Sequence, residues 1–246
     1  MSGRPAGITA VLLDIEGTTT PLAFVTQVLF PYARAHVRSH LESHATDRDY
    51  VSLLSRLHDD HRDCRLRGEV PPQWSDSPDD ARIASAVAFV EWLMDRDRKS
   101  TPLKELQGMI WEHGYQQGAL VGQVFPDVAP ALRRWHDERL AVCIYSSGSA
   151  LAQRLLFRHS SAGDLTALLH SFFDTHVGPK TAPDSYRRIA EQLGLSVDSV
   201  LFMSDTPREL EAARDAGMRV RAVIRPGNAP LLEGHDFEVL DRFDEI

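Results

Sequence analysis

Apolar residues fall along this chain in two rhythms. Short, largely apolar runs occupy residues 8–13 (ITAVLL), 140–145 (LAVCIY), 200–203 (VLFM) and 220–224 (VRAVI), with a shorter one around 171–173 (SFF). Runs of this length closed by turn formers are the pattern of buried strands. Between them the apolar spacing changes to three and four. Val128, Leu132 and Trp135 share one face of a helix over 128–138. Tyr186, Ile189, Ala190 and Leu193 do so over 183–193, and Leu210 and Ala213 over 207–216, the mark of amphipathic helices. Gly194 and Gly217 follow the last two helices and Pro183 and Pro207 open them, where a left-handed cap and a missing N–H are each tolerated. Strands alternating with helices predict an α/β fold with a mostly parallel, Rossmann-like sheet flanked by helices.

Residues 22–122 interrupt that alternation. Helical spacing alone is found there, over 22–44, 47–67, 79–98 and 101–117, with Ile83, Val87, Val90 and Met94 and then Leu103, Leu106 and Ile110 at helical intervals. A turn-rich stretch over 68–78 separates two pairs of helices. The expected organisation is a core built from 1–21 and 123–246, with an all-helical domain over 22–122 inserted between the first and second strands. The tail from about Pro226 opens on a Pro-Gly-Asn turn and carries no assigned element.

Composition narrows the classes. At 246 residues and 43% hydrophobic content the chain can bury a sizeable core. A formal charge of −8 gives a nucleic acid or an anionic membrane nothing to attract, so any phosphate must be held locally. Two cysteines outside any C-x-x-C pair predict neither a disulfide framework nor a zinc site. The start of the chain is too short in apolar residues for a signal peptide or membrane span. The expectation is a cytoplasmic protein, monomeric for want of heptads or a long exposed apolar stretch.

The chemistry concentrates where strands end. Asp14-Ile15-Glu16-Gly17-Thr18-Thr19-Thr20-Pro21 follows the first run directly and puts two carboxylates one residue apart. In open parallel sheets ligands bind at that carboxyl edge, although an Asp closing a strand also serves simply as a turn former. Tyr145 leads into Ser146-Ser147-Gly148-Ser149, a hydroxyl-rich helix start that suits an anion or an N-cap. Met203 leads into Ser204-Asp205-Thr206, so Asp205 shares the edge with Asp14. Lys180 sits in a loop before the 183–193 helix. Together, two carboxylates can hold Mg²⁺, serines can hold phosphoryl oxygens and a lysine can offset developing charge, which makes a phosphoryl-transfer site. Glu209, one helical turn beyond Asp205, is read as decorating its helix.

The order D-x-E-G-T-T, strand-Ser, Lys, strand-Asp resembles the haloacid dehalogenase superfamily, and the helical insert resembles its cap. Asp14 to Pro21, Leu29-Phe30-Pro31-Tyr32, Ile144 to Ser149, Phe173-Asp174-Thr175 and Arg225-Pro226-Gly227-Asn228 are more specifically similar to the bifunctional enolase-phosphatases of methionine salvage. The resemblance implies one Mg²⁺ per subunit, held by Asp14, the Glu16 backbone carbonyl and Asp205. Asp14 would be the nucleophile and the Glu16 side chain a general acid/base. Ser146 and Ser147 would bind the phosphoryl group or adjacent oxygens, and Lys180 would neutralise charge on Asp14 and phosphate. The implied substrate is a small phosphorylated diketone, 2,3-diketo-5-methylthiopentyl-1-phosphate, enolised and then dephosphorylated to acireductone under a cap that closes over it. A simple phosphatase for another small ester, a metal-free dehalogenase and a non-catalytic binding module are the competing classes.

Overall fold

The computed structural model describes residues 6–98, 100–231 and 234–246; most of the amino-terminal segment discussed above lies outside them. Six parallel strands form one sheet in the order β3-β2-β1-β4-β5-β6. They are β1 (Ala10–Leu13), β2 (Ala141–Tyr145), β3 (Ser171–Phe173), β4 (Val200–Ser204), β5 (Arg219–Val223) and β6 (Val239–Leu240). Five are the predicted strands. The sixth has only two residues in register with Ala222 and Val223, too few to show any period in the tail.

β1 runs between β2 and β4, with Leu13 opposite both Ile144 and Met203. Flanked on both sides, it has no exposed edge, which is why all four of its residues are buried and none is polar. One face carries Leu12, Tyr145 and Phe202 against Tyr186, Ile189, Leu210 and Ala213 from α8 (Pro183–Leu193) and α9 (Pro207–Ala216). The alternate residues Leu13, Ile144, Leu201 and Met203 are equally buried on the other face, as the two-residue period of a strand requires. Each fully buried Leu or Phe of this kind contributes roughly 1.5–3 kcal/mol. Gly194 and Gly217 close α8 and α9 in the left-handed conformation. Every strand of the sheet is parallel, so all six carboxyl ends lie along one edge.

The chain divides into two compact units, one running to Gln27 and resuming at Gly118–Ile246, the other Val28–Gln117. The first holds the sheet and also carries α6 (Val128–Asp137). The second is helical, with α2 (Phe30–Ser43), α3 (Arg48–Leu66), α4 (Asp79–Asp95) and α5 (Thr101–Gln116). The single helix expected over 22–44 is instead a short α1 (Leu22–Phe24), a π-helical turn Val25–Leu29 and then α2. Pro31 sits in the first turn of α2 and has no N–H to donate four residues back, so the regular ladder cannot run through. α4 buries Ala86, Phe89 and Trp92 as well as Ile83, Val87 and Val90, so its apolar surface is broader than one stripe. Among the described residues no helix is long and apolar enough to cross a membrane.

Candidate active site

Adjacent strands deliver the acids. With Leu13 opposite Met203, β1 and β4 end side by side, and the Asp14 amide donates to the Met203 carbonyl at 3.0 Å. Asp14 is 5% exposed and Ser204 fully buried. Beyond Asp14 the chain turns tightly, with the amides of Thr18, Thr19 and Thr20 all donating to the Ile15 carbonyl. The Thr19 hydroxyl donates back to the Asp14 carbonyl at 3.1 Å. Gly17 stands at φ +72° with Asp205 Oδ2 where a Cβ would sit. Only glycine combines that backbone with that close approach. Glu16 is half-buried within the turn, its backbone bridged to Thr20.

Core tyrosines place the lysine. Tyr145 OH donates to the Gly178 carbonyl at 2.9 Å, Ser185 Oγ to Pro179 at 2.7 Å and Tyr186 OH to Lys180 at 2.7 Å. Three successive carbonyls are thereby fixed by hydroxyls rooted in β2 and α8, and the loop is anchored from its own core side. Lys180 Nζ then lies 2.5 Å from Asp14 Oδ1 and 2.6 Å from Glu209 Oε2. Ser204 Oγ stands 3.0 Å from that same Glu209 oxygen and 3.4 Å from Asp14 Oδ2. Glu209 therefore does not decorate α9. Its side chain is 13% exposed and turns inward because the buried ammonium needs a second carboxylate more than the helix surface needs a solvated one.

The electrostatics follow from crowding charge in a dry edge. Burial would lower Lys180, but Asp14 and Glu209 more than offset it and raise it to about 12. Burial first and Asp14 second raise Asp205 to about 6. Burial and Asp14 likewise raise Glu209 to about 7, against the pull of Lys180. Two carboxylates resisting ionisation beside a third are a site with a surplus of negative charge, which a divalent cation would relieve.

The serines occupy the end of β2, one strand over. The N-cap of α7 (Ala150–Arg158) is Ser149, which accepts from the Ala152 amide at 3.3 Å. Ser146 and Ser147 thus lie outside the cap. Ser146 is 4% exposed and its hydroxyl accepts from the Gly148 amide at 3.1 Å; Ser147 is half-buried beside it. The helix start is less open to an anion than the sequence suggested, because Asp174 Oδ2 accepts from the Ala150 amide at 3.1 Å. Burial raises Asp174, yet the bonds from His176 and Ala150 outweigh it and hold the carboxyl below the usual range.

A second charged pair, not recognised from sequence, braces the first turn. Arg225 Nη2 and Asp127 Oδ2 are 2.9 Å apart with side chains 2% and 3% exposed. Arg225 Nε donates to the Thr18 carbonyl at 3.0 Å, and its guanidinium lies between the rings of Phe125 and Phe243, 4.7 and 4.6 Å from their centres. Asp127 Oδ2 also accepts from the Phe243 amide at 2.7 Å. The available signal was position: β5 ends on the edge shared by Asp14 and Asp205, so the loop after it must pass the same turn.

A family profile of haloacid dehalogenase-like hydrolases matches residues 8–217, and the chain belongs to that family of hydrolases. Within it the relatives are particular. The chain is 48% identical over 242 residues to enolase-phosphatase E1 of Synechococcus elongatus, covering 98% of this chain and 99% of that one. It is 46% identical to a probable bifunctional methylthioribulose-1-phosphate dehydratase/enolase-phosphatase E1 of Sorghum bicolor, covering 96% of this chain and 46% of that longer protein. The crystal structure of the UTR4 protein of Saccharomyces cerevisiae superposes with a TM-score of 0.80 at 32% identity, covering 97% of this chain and all of that one. The chain is a member of the enolase-phosphatase E1 family.

Proposed function

We propose that this protein is a Mg²⁺-dependent enolase-phosphatase that enolises 2,3-diketo-5-methylthiopentyl-1-phosphate and then hydrolyses the phosphate ester, yielding acireductone. The observation that carries the reading is the buried chain Asp14–Lys180–Glu209 at the sheet's carboxyl edge, with Asp205 packed on the same turn. The Sorghum relative's name supports the substrate, since dehydrating a methylthioribulose phosphate leaves a diketone phosphate.

The donor set fits the metal. Among the described residues no three His, Cys, Asp or Glu side chains converge on a metal cage, and Mg²⁺ takes one or two carboxylates plus waters and phosphate. Asp14 and Asp205 would hold it through carboxylate oxygens and Glu16 through its backbone carbonyl. When bound, Mg²⁺ supplies a Lewis acid for the carbonyl and phosphoryl oxygens. Ser146 and Ser147 hold phosphoryl oxygens from the end of β2, and Lys180 neutralises charge on Asp14 and the phosphate. Asp14 attacks phosphorus as the bond to the substrate oxygen breaks, and that oxygen takes a proton from Glu16. Water then cleaves the aspartyl-phosphate and returns a proton to Glu16. Glu209 keeps Lys180 aligned.

The test is purified protein with Mg²⁺ and the diketone phosphate, followed by absorbance and phosphate assay. A transient enol absorbance preceding phosphate release is expected. Phosphate release with no enol intermediate would overturn the bifunctional reading.

A further inference from the structure

The hydroxyls of Thr18 and Thr20 and Oδ1 of Asn228, buried at the turn or beside it, lack a hydrogen-bond partner, and of these only the amide oxygen is purely an acceptor. Asn228, in the loop after β5, donates from Nδ2 to the Gly17 carbonyl at 2.8 Å and lies 3.5 Å from the Val223 carbonyl. Both partners only accept, so the amide stands one way round. Its Oδ1 therefore faces away from them, buried and without a hydrogen-bond partner. An amide oxygen left so costs about 1–3 kcal/mol, which a donor reaching it would recover.

Its surroundings indicate what it accepts from. The point where a Cβ would stand on Gly17 is 3.0 Å from Asn228 Oδ1 and falls against Asp205 Oδ2. The amide oxygen and the carboxylate thus both crowd one glycine on the side where a side chain would stand. Neither an ionised carboxylate nor an amide oxygen can donate to the other. A group that bridges the two must therefore bring hydrogens, and the water shell that Mg²⁺ retains in protein sites does so.

We propose that Asn228 is a positioning residue of the metal site: its Nδ2 fixes the Gly17 carbonyl, and its Oδ1 accepts from a water of the cation's hydration shell beside Asp205. This rests on the metal reading above, deepening it by one residue in the surrounding shell. The amide orients both the turn that carries Asp14 and the water on the metal, the kind of support that typically changes affinity about 10- to 100-fold when removed.

Mn²⁺, which shares the octahedral oxygen preference of Mg²⁺, is the probe, titrated with the free-ion paramagnetic resonance signal as readout. Asn228→Ala should bind Mn²⁺ about tenfold more weakly than wild type. Asn228→Asp keeps an acceptor oxygen beside Asp205 but loses the donor to the Gly17 carbonyl, so it should bind Mn²⁺ more tightly than Asn228→Ala. Wild-type affinity in Asn228→Ala, or equal weakening in both variants, overturns the proposal. If Asn228→Ala does not fold by circular dichroism, Asn228→Leu takes its place as the variant without an acceptor, and binding in it as tight as in Asn228→Asp overturns the proposal. Asp205→Asn separates the two layers. If it binds Mn²⁺ like wild type, the metal reading has failed and takes the proposal with it; if it loses binding while Asn228→Ala keeps it, the proposal alone fails.

Discussion

The two units bury ionisable groups in opposite ways. Among the described residues, every Asp, Lys or Arg that is almost fully buried, namely Asp14, Asp127, Lys180, Arg221 and Arg225, belongs to the unit with the sheet. The helical unit buries rings instead: His40, His61, Tyr50, Tyr115, Trp92 and Trp111. Its ion pairs, such as Arg34 with Asp95 and Arg56 with Glu105, stay substantially exposed. Burying a charge costs several kcal/mol unless partners are supplied, so most of the charge kept inside has work to do. For Asp14, Lys180, Asp127 and Arg225 that work is chemistry at one edge and bracing of the turn that carries it, whereas Arg221 pairs with Glu238 away from both.

The largest effect expected from that contrast is chemical. Asp14→Asn should lower the rate of phosphate release by on the order of 10⁴-fold or more, as loss of a nucleophile does, with little loss of thermal stability. It removes a charge from a site with too many carboxylates while keeping the shape. Turnover equal to wild type would reject Asp14 as nucleophile. Unfolding without loss of specific activity in the folded fraction would make the buried charge structural and break the comparison.

Next in size is the brace. Arg225→Met leaves Asp127 buried without its cation and should cost about 3–5 kcal/mol in urea unfolding, the range for breaking a buried pair. Adding Asp127→Asn should recover part of that loss. The matching change in the helical unit, Arg56→Met, breaks an exposed pair and should cost less than about 1 kcal/mol. Equal losses in the two units would show that burial does not set the value of these pairs.

How far such contrasts were legible depended on how local the cause was. Five strands and the helices α8 and α9 were readable because each announces itself within its own segment, by an apolar run or a face at helical spacing. β6 was not, since two residues carry no period and Val239–Leu240 is a strand only because β5 lies beside it. The break before α2 was missed although Pro31 stood in plain view, because the apolar spacing continues through it. Asp14, Asp205 and Lys180 could be nominated from strand ends and family order, and the structure joins Asp14 to Lys180 directly. Glu209 could not be: its inward turn depends on a lysine 29 positions earlier reaching it through space. Asp127 and Arg225 are 98 positions apart, and nothing in either segment names the other.

The smallest effect tests the helical unit's choice of neutral rings. His40 is 8% exposed, with His36 and His44 beside it, Tyr50 of α3 hydrogen-bonded to its Nε2 and His113 of α5 6.1 Å away between ring centres. Burial first, then His44, His113 and His36, lower it to about 4 from 6.5. A histidine held below its unfolded value binds fewer protons folded than unfolded between those two values, so stability there rises with pH. Its contribution is complete above about 6.5 and is lost as pH falls toward 4. Allowing for solvent near the cluster, the loss should be on the order of 1 kcal/mol. Calorimetry from about pH 7.5 to about pH 5 should show a fall in melting temperature that is shallower in His40→Gln, which cannot titrate. Parallel slopes in the two proteins would mean that the ring's protonation does not couple to folding. The neutrality of this interior would then be a consequence of its packing and not a condition of it.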